Sequence, residues 1–131
     1  MKHRRTEHLT FSEAKEAITQ LYDSSNADRR YILRTHVLYG YNDQFERDNI
    51  VELPTDEDRE YFIQNCKEMI KMSQTSDTLK AELYREIGEY DTCIEYLDTL
   101  TTDDPNEQFV RDQIRDKALN RIASVFEIKF E

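Results

Sequence analysis

Gly40, Gly88, Pro54 and Pro105 are the only glycines and prolines in this 131-residue chain. Tight β-hairpins draw on residues that accept positive φ, and a sheet of many strands needs several such turns. Two glycines leave little to build them with. Glu, Lys, Arg, Leu and Ala fill the polar and apolar positions instead, and these are good helix formers. The expected fold class is all-α. The expected organisation is a single helical domain, because a chain of this size buries roughly 65–70% of its unfolded surface.

Capping residues and helical periodicity divide the chain further. Thr10 with Glu13 predicts a capping box opening a helix over 12–23, with Phe11, Ala14, Ile18, Leu21 and Tyr22 on one face. Asn26 suits the N-cap of a second helix over 27–39, whose apolar face is Tyr31, Ile32, Leu33, Val37 and Leu38. Residues 40–54 read as a long loop, a kind of segment that is often functional. Thr55 and Asp58 suit an N-cap for a third helix reaching about residue 72, with Phe62, Cys66, Met69 and Ile70 as its stripe. A fourth helix is expected over 77–87 and a fifth over 91–100. Asp104, Pro105 and Glu107 open a sixth, expected to run to 125 with Ile114, Ala118, Ile122 and Val125 in its stripe. Residues 126–131 alternate apolar and polar, which fits a strand or a docked extended tail. Residues 8–53 then form a diverged N-terminal hairpin plus loop, and 54–131 the remaining helices.

Residues 74–107 resemble one tetratricopeptide repeat, a pair of antiparallel helices about 34 residues long. Ala81 stands at the family's small helix-contact position and Tyr84 at its aromatic position. Gly88 and Tyr90 match the turn, Cys93 replaces the usual Ala, Leu97 and Leu100 follow, and Pro105 matches the terminal Pro. Asp77 and Lys80 depart from the pattern, standing where the family carries large apolar residues. The resemblance implies a short right-handed array of five to six helices. In it the sixth helix caps the array, and the third, through Phe62, Cys66 and Met69, acts as a degenerate preceding helix. It also implies a protein–protein interaction or scaffold module and no catalysis. The segment Tyr39–Asp43, with the helical hairpin behind it, is similar to small bacterial proteins without a known activity.

The formal net charge is −10, with −3 in residues 1–73 and −7 in 74–131. Nucleic acid is a poor partner for that field, since phosphate contacts need clustered Lys and Arg. The charge serves solubility on one reading and a basic partner on the other. No apolar run is long enough for a membrane span, and Met1–Arg5 leads into a polar segment and not a signal sequence. Cys66 and Cys93 sit at apolar helical positions and read as small buried hydrophobes in a reduced, cytoplasmic setting. Three His and two Cys at these spacings form no zinc pattern, and no nucleophile elbow, P-loop or dinucleotide motif occurs. No cofactor, metal or catalytic residue is indicated.

Three constellations remain. Packing like the family would turn Thr75, Thr78, Glu82 and Arg85 to the concave, partner-binding face. They do not supply the family's Lys/Asn/Arg clamp for a C-terminal carboxylate. Asp91, Glu95 and Asp98 share one helical face in a stretch, 86–107, with eight carboxylates and no Lys or Arg. That face suits a basic peptide or simple solvation. Arg29, Arg30 and Arg34 form a basic patch, which with the acidic end would allow head-to-tail assembly into a homo-oligomer. An alternative function is a small-ligand binder or enzyme using the 34–53 region, with Arg34, His36, Tyr41 and Asp43 in the site.

Overall fold

The computed structural model describes residues 9–46 and 53–124. Six α-helices follow one another, and there is no strand among the described residues: α1 (Phe11–Leu21), α2 (Ala27–Phe45), α3 (Asp56–Ile70), α4 (Asp77–Glu86), α5 (Tyr90–Asp98) and α6 (Pro105–Leu119). The all-α expectation therefore holds. The chain forms two compact units, the first ending at Asn65 and the second beginning at Cys66, so the division falls inside α3.

Local chemistry sets most helix starts. The Thr10 hydroxyl accepts from the Glu13 amide at 3.2 Å and the Glu13 carboxylate accepts from the Thr10 amide at 2.9 Å, completing the capping box. Asn26, Thr55 and Ser76 accept in the same way from Arg29, Asp58 and Leu79. Asp104 caps α6 through the Asn106 amide, with Pro105 at the first turn. Glu107, read with Asp104 as part of the signal opening this helix, accepts from the Thr78 hydroxyl.

In the first unit α1 packs on α2. Phe11 and Ala14 of α1 meet Leu33, Val37, Leu38 and Tyr41 of α2 in the buried core, with Phe62 of α3. Tyr41 stacks on Phe62 at 4.0 Å between centroids and meets the edge of Phe11 at 5.4 Å. Each such pair adds about 0.5–1.5 kcal/mol to the burial itself.

Two helix ends differ from the sequence reading. α2 does not stop at Gly40 but continues to Phe45, so the first six residues of the expected 40–54 loop are helix; residues 47–52 lie outside the described residues. Gly40 is there for close approach, not for a turn. A β-carbon at that position would lie 2.6 Å from the Phe11 nitrogen and 2.9 Å from its α-carbon. Ile32, expected on the apolar face of α2, is 53% exposed, while Gly40 and Tyr41 are buried.

α6 stops at Leu119, short of the expected residue 125. The Arg121 amide bonds back to the Ala118 carbonyl at 3.0 Å and the Ile122 amide to the Lys117 carbonyl at 2.9 Å. This Schellman closure places Arg121, a non-glycine, at φ 56°. Gly88 makes the same closure after α4, at φ 84°, with its own amide on Arg85 and the Glu89 amide on Tyr84. The alternation read in 126–131, and Val125, lie outside the described residues.

Candidate functional site

In the second unit α4, α5 and α6 pack pairwise against one another. Ala81, Cys93, Leu97, Ile114 and Ala118 form the buried cluster, with Tyr84, Tyr90, Ile94, Tyr96, Leu100 and Val110 around it. The two alanines let the helices come close; the larger side chains fill the space between them.

Contacts at the helix ends fix the directions. Thr78, at the start of α4, meets Glu107 and Arg111, near the start of α6. Arg85, at the end of α4, meets the carbonyls of Ile122 and Ser124, just past the end of α6. The two helices therefore run parallel. α5 runs against both: Tyr96, near its end, reaches Asp77, and Asp91, near its start, pairs with Arg121.

This arrangement lines the α4–α6 face with two polar groups. At one end the Thr78 hydroxyl donates to Glu107 and accepts from the Arg111 Nε at 2.9 Å. An Arg111 Nη contacts Glu107 at 3.6 Å, and its other terminal nitrogen is buried with no hydrogen-bond partner among the described residues. Beside it the Tyr96 hydroxyl donates to Asp77 at 2.5 Å, and Tyr84 lies 5.9 Å from the Tyr96 ring. Burial first, and then the Asp77 carboxylate, push the Tyr96 phenol up to about 12.

At the other end the Arg85 guanidinium is fully buried. Glu82 holds it through two bonds, Nε to Oε1 at 2.7 Å and Nη2 to Oε2 at 2.6 Å. Burial opposes its charge, but the Glu82 hydrogen bond and charge outweigh that, so its pKa is raised. Nη1 donates to the Ile122 carbonyl at 2.7 Å and the Ser124 carbonyl at 2.8 Å.

The four residues expected on the concave face are therefore placed unequally. Thr75 is buried, its hydroxyl donating to the Met69 carbonyl at 2.6 Å, and Arg85 is buried as described. Thr78 and Glu82 are half-buried. Glu107 and Arg111, which complete the face from α6, were missed. The sequence held one signal for them, the i, i+4 Glu–Arg pairing, but nothing that set it opposite Thr78.

Asp91, Glu95 and Asp98 are all exposed along α5. Arg121 pairs with Asp91 at 2.9 Å and Arg115 with Asp98 at 2.7 Å, so cations from α6 and the turn after it meet both ends of the acidic face. Arg29, Arg30 and Arg34 do not present a common basic patch. Arg29 is exposed, but Arg30 donates to the Tyr22 and Asp23 carbonyls at 2.8 and 3.1 Å. Arg34 donates to the Tyr22 hydroxyl at 3.0 Å and to Asn65 Oδ1 at 3.1 Å, and lies over the Tyr22 ring.

The side chains named for a ligand site around 34–53 are engaged in packing. His36 Nδ1 accepts from the Leu9 amide at 3.0 Å, and Tyr41 is buried against Phe62. His36 and Asp43 stand seven residues apart on one continuous helix, a rise of about 10 Å, too far for direct proton transfer. Among the described residues no group of three His, Cys, Asp or Glu is placed to hold a metal ion, and no helix is long and apolar enough to cross a membrane.

No protein-family model, curated protein or solved structure matches this chain.

Proposed function

We propose that the protein is a non-catalytic protein–protein interaction module of tetratricopeptide-like build, taking a protein or peptide partner on the face that α4 and α6 share. The observation that carries this reading is the parallel course of α4 and α6 with α5 antiparallel between them in sequence and packed on both. A tetratricopeptide hairpin followed by the first helix of the next unit has that disposition, and one hairpin alone cannot bury its own face. Ala81 and Cys93 at the contact positions, Gly88 at positive φ and Pro105 at the start of α6 support the same reading. α6 suits a capping role, because Gln108, Asp112 and Asp116 are exposed to solvent. Thr78 and Glu82 from α4, with Glu107 and Arg111 from α6, offer a partner hydroxyl, carboxylate and guanidinium groups on a fixed frame. The net charge of −7 in residues 74–131 favours a basic partner.

Site-specific photocrosslinking tests this. A crosslinker at Glu82 is expected to capture a discrete partner, and one at Gln108 on the outer side of α6 to capture none. Equal capture from both positions, or none from Glu82 alongside turnover of a metabolite by the purified protein, overturns the proposal.

A further inference from the structure

The segment Arg121–Ser124 meets the C-terminal end of α4 at Arg85. It leaves α6 through the left-handed turn at Arg121 and brings two carbonyls, Ile122 and Ser124, onto one Nη of Arg85. The Arg121 side chain is tied to Asp91 at 2.9 Å and lies over the Tyr90 ring. Arg85 belongs to the helical face that also carries Thr78 and Glu82. Both of these bonds are made to main-chain oxygens, which any residue at those positions of the segment would present.

We propose that Arg121–Ser124 is a strap occupying the C-terminal end of the α4 face, and that the Glu82–Arg85 pair is a reader of peptide backbone with this strap as its resident ligand. The ligand class is a non-helical peptide segment held through its carbonyls, and the strap competes with any outside segment of that kind. The inference rests on the interaction reading above and narrows it. The chemistry of the pair fits. Glu82 fixes the guanidinium plane through two bonds, which leaves Nη1 as the group turned to the segment. Nη1 carries two N–H donors, and the two carbonyls of this one short stretch satisfy it. The turn that delivers them sits at a non-glycine residue in a region such residues rarely visit, so the strap is held from both ends against a local conformational cost.

Amide exchange in the full-length protein tests the strap. The Ile122 amide, bonded to the Lys117 carbonyl, reports on it, and the Cys93 amide, bonded to the Glu89 carbonyl in the core, reports on the helices. Ile122 is expected to exchange faster than Cys93 in the wild type. Arg85→Lys keeps the charge but not the fork, and is expected to speed Ile122 about tenfold relative to Cys93. A spin-labelled peptide of residues 121–131, added at about 1 mM, is expected to broaden the amide signals of Glu82 to Glu86 and speed Ile122 in the wild type. Exchange of Ile122 only together with Cys93, or a labelled peptide that broadens nothing on α4, overturns the proposal. Both of those readouts use the wild type, so they stand even if Arg85→Lys does not fold. Neither involves an outside partner, so a failed strap leaves the crosslinking test open, and a failed crosslinking test leaves the strap measurable.

Discussion

A β-carbon placed on Gly40 would stand 2.6 Å from the backbone nitrogen of Phe11. Real β-carbons do not approach backbone that closely, so the start of α1 crosses α2 at the one residue able to admit it. Gly40→Ala is expected to lower stability by about 1–3 kcal/mol through overpacking, despite the better helix propensity of Ala. Urea denaturation followed by circular dichroism reads this. A raised midpoint means that α1 does not cross there.

Gly88 gives the contrasting case. Nothing lies within 4 Å of a β-carbon there, yet φ is +84°. Gly88→Ala is expected to cost about 1–2 kcal/mol, purely from the left-handed backbone. Gly88→Asn should cost less, since Asn accepts that region more readily. Equal losses for the two variants in the same denaturation assay count against the Schellman turn.

Leu97 is 4% exposed in the cluster shared by α4, α5 and α6. Leu97→Ala is expected to cost about 2–5 kcal/mol by emptying a packed site. A change under about 0.5 kcal/mol, the range usual for surface positions, means that α5 is turned differently about its axis.

Burial, and next the Glu82 carboxylate, push the Cys93 thiol from 9.0 up to about 11. The folded protein thus keeps a proton that the unfolded chain releases. The stability associated with this thiol is complete below about pH 9 and is lost as the pH rises toward about 11. Cys93→Ala is expected to show a shallower loss of stability across that window than the wild type. An identical pH profile for the two proteins removes the thiol as a contributor.

Arg34 and Arg29 lie on the same helix with opposite roles. Arg34→Ala is expected to destabilise by about 1–3 kcal/mol, because it removes the guanidinium bond to the buried Asn65 Oδ1, whose amide also donates to the Arg34 carbonyl. Arg29→Ala should stay within about 0.5 kcal/mol. Thermal melts of the two variants distinguish them, and similar losses contradict the placement of Arg34.

The parts legible in sequence were those that local chemistry decides. Thr10, Asn26, Thr55 and Asp104 announce their helices because a cap needs only a side chain within three residues of its donor. The turn at Gly88 was legible for a similar reason. Gly40 misled because a glycine for close approach and a glycine for a turn look alike without knowledge of what crosses it. The end of α6 was hidden because Arg121 takes the left-handed position without the residue that usually marks it. The candidate face was legible in phase but not in cover. Arg85 shares a helical face with Thr78 and Glu82, while Thr75 precedes the Ser76 cap of α4, and the carbonyls that Arg85 bonds lie 37 and 39 residues downstream. Arg30 and Arg34 read as surface charge because their acceptors, the Tyr22 carbonyl and Asn65, carry no formal charge to flag the pairing.

The outward side of α6 bears on behaviour at high concentration. A second molecule docking there would have to strip water from Asp112 and Asp116, exposed carboxylates that neighbouring Gln108 and Asn120 contact. Desolvating two anions is unfavourable. Self-association through the outward side of α6 is therefore opposed, and more strongly at low salt than at high.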